Sequence, residues 1–143
     1  MKLGLVRYLA MILFVSVPTQ TVMANDYLEV QAVIQKYFDG TEKGMLDRLS
    51  EAFLESAEIQ YIQEDGTLGR LPFPEYLSRF TEGRQIERYG RLVSMDVTGS
   101  AATAKVEIYM ASRERVYTDY ILLLKTQQGW RISNKVATWR PKF

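Results

Sequence analysis

Residues 117–139, reading YTDYILLLKTQQGWRISNKVATW, limit the fold more tightly than any other stretch of the chain. Two runs rich in Tyr, Ile, Leu, Val, Thr and Trp flank Gln127-Gln128-Gly129, the pattern of two long strands joined by a tight turn. With a three-residue loop, Gly129 takes the left-handed position such loops require, and Thr126 faces Trp130. Alternation then places Thr118, Tyr120, Leu122, Leu124, Trp130, Ile132, Asn134 and Val136 on one face. The opposite face carries Tyr117, Asp119, Ile121, Leu123, Lys125, Arg131, Ser133, Lys135 and Ala137. This register is preferred because it separates the cations from the largest aliphatic set. A two-residue turn at Gln128-Gly129 would instead move Asp119 onto the face of Trp130 and Ile132.

Upstream, the periodicity is helical before it is extended. Val30, Val33, Ile34, Tyr37 and Phe38 form one apolar stripe of a first helix, capped by Asn25 or Asp26 and stopped at Gly40. A second helix is expected near residues 42–53, with Met45, Leu46, Leu49 and Phe53 on one side. A short strand over 57–62 turns at Asp65-Gly66 into another over 67–71. Pro72 and Pro74 open a third helix, whose stripe is Tyr76, Leu77 and Phe80. From Tyr89 the period changes to two, giving strands over 92–97 and 102–111 before the opening hairpin. Helices first and an antiparallel meander last predict an α+β domain with helices on one face of a curved sheet.

Composition narrows the chemistry. The 143-residue chain contains no histidine and no cysteine. Without histidine there is no Ser-His or Cys-His nucleophile pair and no imidazole zinc ligand, so acid/base work falls to Asp, Glu, Tyr or Lys. No metal ligands and no cofactor site are expected. Without cysteine, stability rests on a packed core.

Residues 1–24 read as a signal peptide. Lys2 and Arg7 precede the apolar run from Tyr8 to Val17, Pro18 breaks it, and Val22-Met23-Ala24 supplies the small-residue cleavage pattern. The run is shorter than the roughly twenty apolar residues that span a bilayer, so no stable membrane anchor is expected, although an uncleaved one stays open. The protein is therefore expected to be exported, periplasmic or secreted, with one domain over 25–143. That remainder holds 16 basic against 17 acidic residues, since residues 1–24 contribute Lys2 and Arg7 and no acid. A near-neutral surface offers no footprint for nucleic acid.

Tyr117-x-Asp119-Tyr120-x-Leu122-x-x-Lys125, followed by Gly129-Trp130-Arg131-Ile132-x-Asn134-Lys135, resembles the putative lumazine-binding family. That family lies in the nuclear transport factor 2-like superfamily, with the ketosteroid isomerases and SnoaL-like cyclases. Tyr37-Phe38-Asp39-Gly40, Ala52-Phe53, Ala57 and Ser94-Met95-Asp96-Val97-x-Gly99-x-Ala101 agree in order, so the similarity covers residues 27–139. One departure stands out: relatives often read Phe-His-Pro-Asp-Ala where this chain has Phe53-Leu54-Glu55-Ser56-Ala57. The resemblance implies a cone-shaped, cystatin-like fold, with three N-terminal helices packed on a curved antiparallel sheet around a cavity. It also implies pairing of two copies through the sheet's outer face. Ile121, Leu123 and Ala137, apolar on a face expected to be solvated, point to the same homodimer.

Asp119 is the one catalytic candidate, because related isomerases carry on an equivalent strand an acid that donates to an oxyanion, a site type used as a standard example of pKa tuning. Its plainer role is an ion pair, with the diagonal neighbour Lys135 or with the dimer partner. Tyr37, Tyr61, Tyr76 and Tyr120 are candidate ligand contacts, or core aromatics with hydrated hydroxyls. Asn134, between Ile132 and Val136, needs a ligand or backbone partner. Arg84, Arg88 and Arg91 read as a solvated edge, with anion binding as the alternative. Three functions fit: a domain that binds an apolar or aromatic molecule without catalysis, a metal-independent isomerase, cyclase or dehydratase using Asp119 and a Tyr, or a structural dimerisation domain with a filled cavity. The missing histidine and the altered Phe53–Ala57 segment favour binding.

Overall fold

A computed structural model describes residues 19–142; residues 1–18 of the expected signal peptide lie outside the described residues. The order is α1 (Thr19–Lys43), α2 (Leu46–Ala52), β1 (Phe53–Ile62), β2 (Leu68–Pro72), α3 (Phe73–Leu77), β3 (Arg88–Thr98), β4 (Ala101–Met110), β5 (Arg115–Thr126) and β6 (Gly129–Pro141). The α+β class and the helix-then-meander order expected from the sequence are present. Among the described residues no helix is long and apolar enough to cross a membrane.

The six strands form one sheet in the order β2-β1-β6-β5-β4-β3. Every pairing is antiparallel except β1 with β6, which is parallel. The expectation of a wholly antiparallel sheet is corrected there: the β1-β2 hairpin joins the meander through its last strand, and β1 and β6 run the same way.

Helix α1 lays its stripe on the sheet. Val30, Ile34 and Tyr37 are at most 1% exposed, and Val33 and Phe38 are also buried. The helix runs through Asn25 and Asp26, so neither caps it, and through Gly40 to Lys43. Gly40 is a packing residue: a Cβ there would lie 2.6 Å from Leu49 Cβ, so its absence lets α1 and α2 approach. The chain turns at Gly44, with φ of 66°, where glycine bears the left-handed conformation without steric cost. That turn delays α2 to Leu46.

The final hairpin departs from the expected register. Thr126 pairs with Gly129 around Gln127-Gln128, and Lys125 faces Trp130. Leu123 pairs with Ile132 but Leu122 pairs with Asn134, so Ser133 is an extra residue, a β-bulge. The bulge changes the parity of β6. Trp130 and Ile132 point inward before it, Lys135 points inward after it, and all three share a face with Asp119, Ile121 and Leu123. The driving force is burial: Ile121, Leu123, Trp130 and Ile132 are each at most 1% exposed, and each fully buried side chain of this kind contributes about 1.5–3 kcal/mol. Ile121 and Leu123 therefore belong to the core, not to the outer face. The outer face instead exposes Tyr120, Leu122, Leu124 and Val136.

Two charged groups fasten α1. Asp26 accepts hydrogen bonds from Lys125 Nζ and Trp130 Nε1, tying the helix to the last hairpin. Asp39 accepts from Lys43, Gln35 and Arg48, tying α1 to α2.

Candidate functional site

Five elements send one polar side chain each to a common point. Tyr37 comes from α1, Tyr76 from α3, Arg88 from the start of β3, Asp119 from β5 and Lys135 from β6. Inward position on α1 and on both hairpin strands explains three of them. Tyr76 follows from the short turn of helix opened by Pro74, which packs Tyr76 between Phe53 and Phe80.

The Tyr37 hydroxyl is the hub. It donates to Asp119 Oδ2 at 2.7 Å and accepts from Arg88 Nη2 at 2.7 Å and Lys135 Nζ at 3.0 Å. The Tyr76 hydroxyl stands 3.5 Å away. Lys135 Nζ also reaches Asp119 Oδ2 at 3.1 Å, a buried ion pair, and lies 5.0 Å and 4.8 Å from the ring centres of Tyr37 and Tyr76. Burial first, and then the Asp119 charge and Tyr76, push the Tyr37 phenol well above the ordinary tyrosine range, against the pull of Arg88. Tyr37 therefore keeps its proton and donates it to Asp119, whose Oδ2 also accepts from Lys135.

This cluster is not sealed. Tyr76, Arg88, Asp119 and Lys135 line a cavity of about 760 Å³. Its walls are largely apolar, formed by Ile59, Leu71, Phe80, Ile86 and Met110 among others, with Tyr61, Tyr117 and Trp139 adding rings. Both hydrogen bonds that Asp119 accepts end on Oδ2. No buried side-chain polar atom among the described residues lacks a partner, so Oδ1 opens onto the cavity. A carboxyl oxygen beside two cations and a phenol can bind a polar group, take a proton from an acidic carbon, or hold a water.

Of the residues singled out from sequence, Tyr37, Tyr76 and Asp119 are brought together, and Tyr61 lines the same cavity. Tyr120 and Asn134 are not part of it. Tyr120 is exposed on the outer face, with Lys105 over its ring. Asn134 Oδ1 accepts the Glu58 backbone N–H at 3.2 Å, a bond across the parallel β1-β6 pair. The two-residue turn at Gln127-Gln128 leaves Tyr120 on the outer face, and the bulge at Ser133 turns Asn134 outward. Asp119 does pair with Lys135, but inside the domain. Arg88 was expected on a solvated edge and lines the cavity instead; the sole hint was its membership of an arginine group adjoining the aromatic start of β3. Among the described residues no cluster of three or more acidic side chains is placed to hold a metal ion.

Residues 25–138 match the family model described as "Putative lumazine-binding". The chain belongs to this family. Among curated proteins it is similar to the aldolase FrzH of a Cladobotryum species, 27% identical over 125 residues, covering 85% of this chain and 97% of that protein. Among solved structures it resembles a nuclear transport factor 2-like protein of Shewanella baltica OS155. The identity is 23%, the coverage 82% of this chain and 96% of the other, and the TM-score 0.73. A nuclear transport factor 2-like protein of Methylobacillus flagellatus KT is 26% identical with a TM-score of 0.70, covering 89% and 96% of the two chains. The superfamily expected from the hairpin motif is thus found, and the cystatin-like fold with it.

Proposed function

We propose that this chain is an exported domain that holds a small molecule, apolar or aromatic in its body and polar at one end, in a cone-shaped cavity. The observation that carries the reading is the opening of the Tyr76-Arg88-Asp119-Lys135 floor onto about 760 Å³ of largely apolar space. That volume lies within the roughly 300–1,000 Å³ typical of small-molecule sites, where a few polar groups orient an apolar ligand. A cavity of this size speaks against a purely structural domain with a filled interior. Export rests on the basic start, apolar run and Val22-Met23-Ala24 of residues 1–24. A thermal-shift screen of the domain against steroids, polyketides, pterins and flavins tests the binding reading. Ligands that fit raise Tm in proportion to occupancy, and a flat response across all four classes contradicts it.

A second reading, proton-transfer catalysis, is favoured by the Oδ1 atom of Asp119 and by the similarity to a protein named as an aldolase. In that reading the Asp119 carboxylate removes a proton from carbon next to a ligand carbonyl, and Lys135 and Arg88 stabilise the enolate oxygen. With 2-acetylnaphthalene as probe, methyl-group exchange in D2O followed by NMR is expected to be accelerated by the native protein and lost in Asp119→Asn. No acceleration by the native protein contradicts this reading and leaves the first intact.

The outer row of Tyr120, Leu122, Leu124 and Val136 supports pairing of two copies through the sheet.

A further inference from the structure

We propose that the cavity selects a monoanion, a carboxylate on an apolar body, with its charged end set between Arg88 and Lys135; this rests on the reading of the cavity as a ligand site. The chain as a whole is almost neutral, with 18 basic and 17 acidic residues. The cavity wall is not. Its basic residues are Arg79, Arg88, Arg113 and Lys135, and its acidic ones are Glu64 and Asp119.

Local pairing does not remove the excess. Arg79 is held by Glu75 on the rim, and Lys135 by Asp119 on the floor. Arg88 makes no ion pair among the described residues. Its Nη2 donates to the Tyr37 hydroxyl, which is neutral and already gives its own proton to Asp119. A half-buried guanidinium against an apolar wall is poorly solvated, and an anion in the cavity supplies the missing countercharge.

The sign and number of charges follow from the same geometry. Lys135 Nζ uses two of its three N–H groups on Tyr37 and Asp119, leaving one for a ligand oxygen. Oδ1 of Asp119 opens onto the same floor and repels a second negative charge, so a dianionic phosphate fits less well than a single carboxylate. The planar fork of Arg88 matches carboxylate geometry.

The test is calorimetric, with 2-naphthoate and its neutral counterpart 2-naphthamide as probes at pH 7 and low salt. The native protein is expected to bind naphthoate about tenfold or more tightly than naphthamide. In Arg88→Gln the two are expected to bind within about twofold of each other, the naphthoate losing its advantage. Lys135→Met, checked for folding by urea denaturation, is expected to narrow the preference as well. If native protein binds naphthamide as tightly as naphthoate, the cavity is a ligand site and the anion assignment is overturned. An unchanged preference in Arg88→Gln overturns the role of Arg88. If neither probe binds, the cavity reading fails and this inference fails with it.

Discussion

Tyr37 holds the polar cluster together through a single oxygen, which accepts from Arg88 and Lys135 and donates to Asp119. Replacing it with Phe keeps the ring in the core and removes the hub, leaving Asp119 with Lys135 alone. The expected loss in unfolding free energy is about 1–3 kcal/mol by urea denaturation. Lys135→Met is expected to cost more, about 3 kcal/mol, because it strands a buried carboxylate. Pairing it with Asp119→Asn should recover much of that loss, since the double variant no longer strands a buried carboxylate; strict additivity would mean the two side chains do not act as a pair. The proximity of Asp119 to Lys135 was legible in the sequence, because strand alternation in the preferred register puts both on one side. Their inward direction was not, because direction depends on an extra residue that no residue type announces. Arg88 was illegible as a cavity group because it stands in a polar segment with no apolar period around it.

At the scale of elements, the strands could be read and their pairing could not. The runs of β4, β5 and β6 stand out by residue type, and Ala104, Val106 and Ile108 are buried as their spacing predicts. Ser133 breaks the period-two rule in mid-strand, and that break brings Trp130, Ile132 and Lys135 to one face. Deleting Ser133 should force β6 to expose either Trp130 and Ile132 or Lys135 and Ala137. Either outcome abolishes cooperative unfolding or lowers Tm sharply, as read by circular dichroism. A deletion variant of native stability would show that the bulge sets nothing. Gly40 was read as a helix stop because glycine disfavours helix interiors; tertiary packing overrides that preference, since Leu49 occupies the space a side chain would need. Gly40→Ala, favourable in an isolated helix, is therefore expected to destabilise the domain by about 1–3 kcal/mol through overpacking.

For the whole molecule, α1 is the part that everything else grips, and carboxylates do much of the gripping. Hydrogen bonds from Lys125 and then Trp130 hold Asp26 below the ordinary aspartate value of 3.8. Burial works to raise Asp39, but Lys43, Gln35 and Arg48 outweigh it and leave it lowered as well. A carboxylate depressed in the folded state contributes stability that is full above its unfolded value and is lost as pH falls through its folded one. Tm should accordingly be flat above about pH 5 and fall below about pH 4, with a shallower fall in Asp26→Asn. On the other side of the sheet, Leu122→Lys with Leu124→Lys should turn a dimer into a monomer by sedimentation, and a native monomer would remove the pairing proposal. The claim on which the account turns is that the Asp119 floor meets open space rather than packed side chains. A crystal structure of the domain grown with 2-naphthoate tests that most directly. The account predicts density for the naphthyl ring among Ile59, Leu71, Phe80 and Met110, with its carboxylate within hydrogen-bond distance of Arg88 and Lys135. A floor closed by Tyr76 and its neighbours, with the probe elsewhere or nowhere, would contradict it.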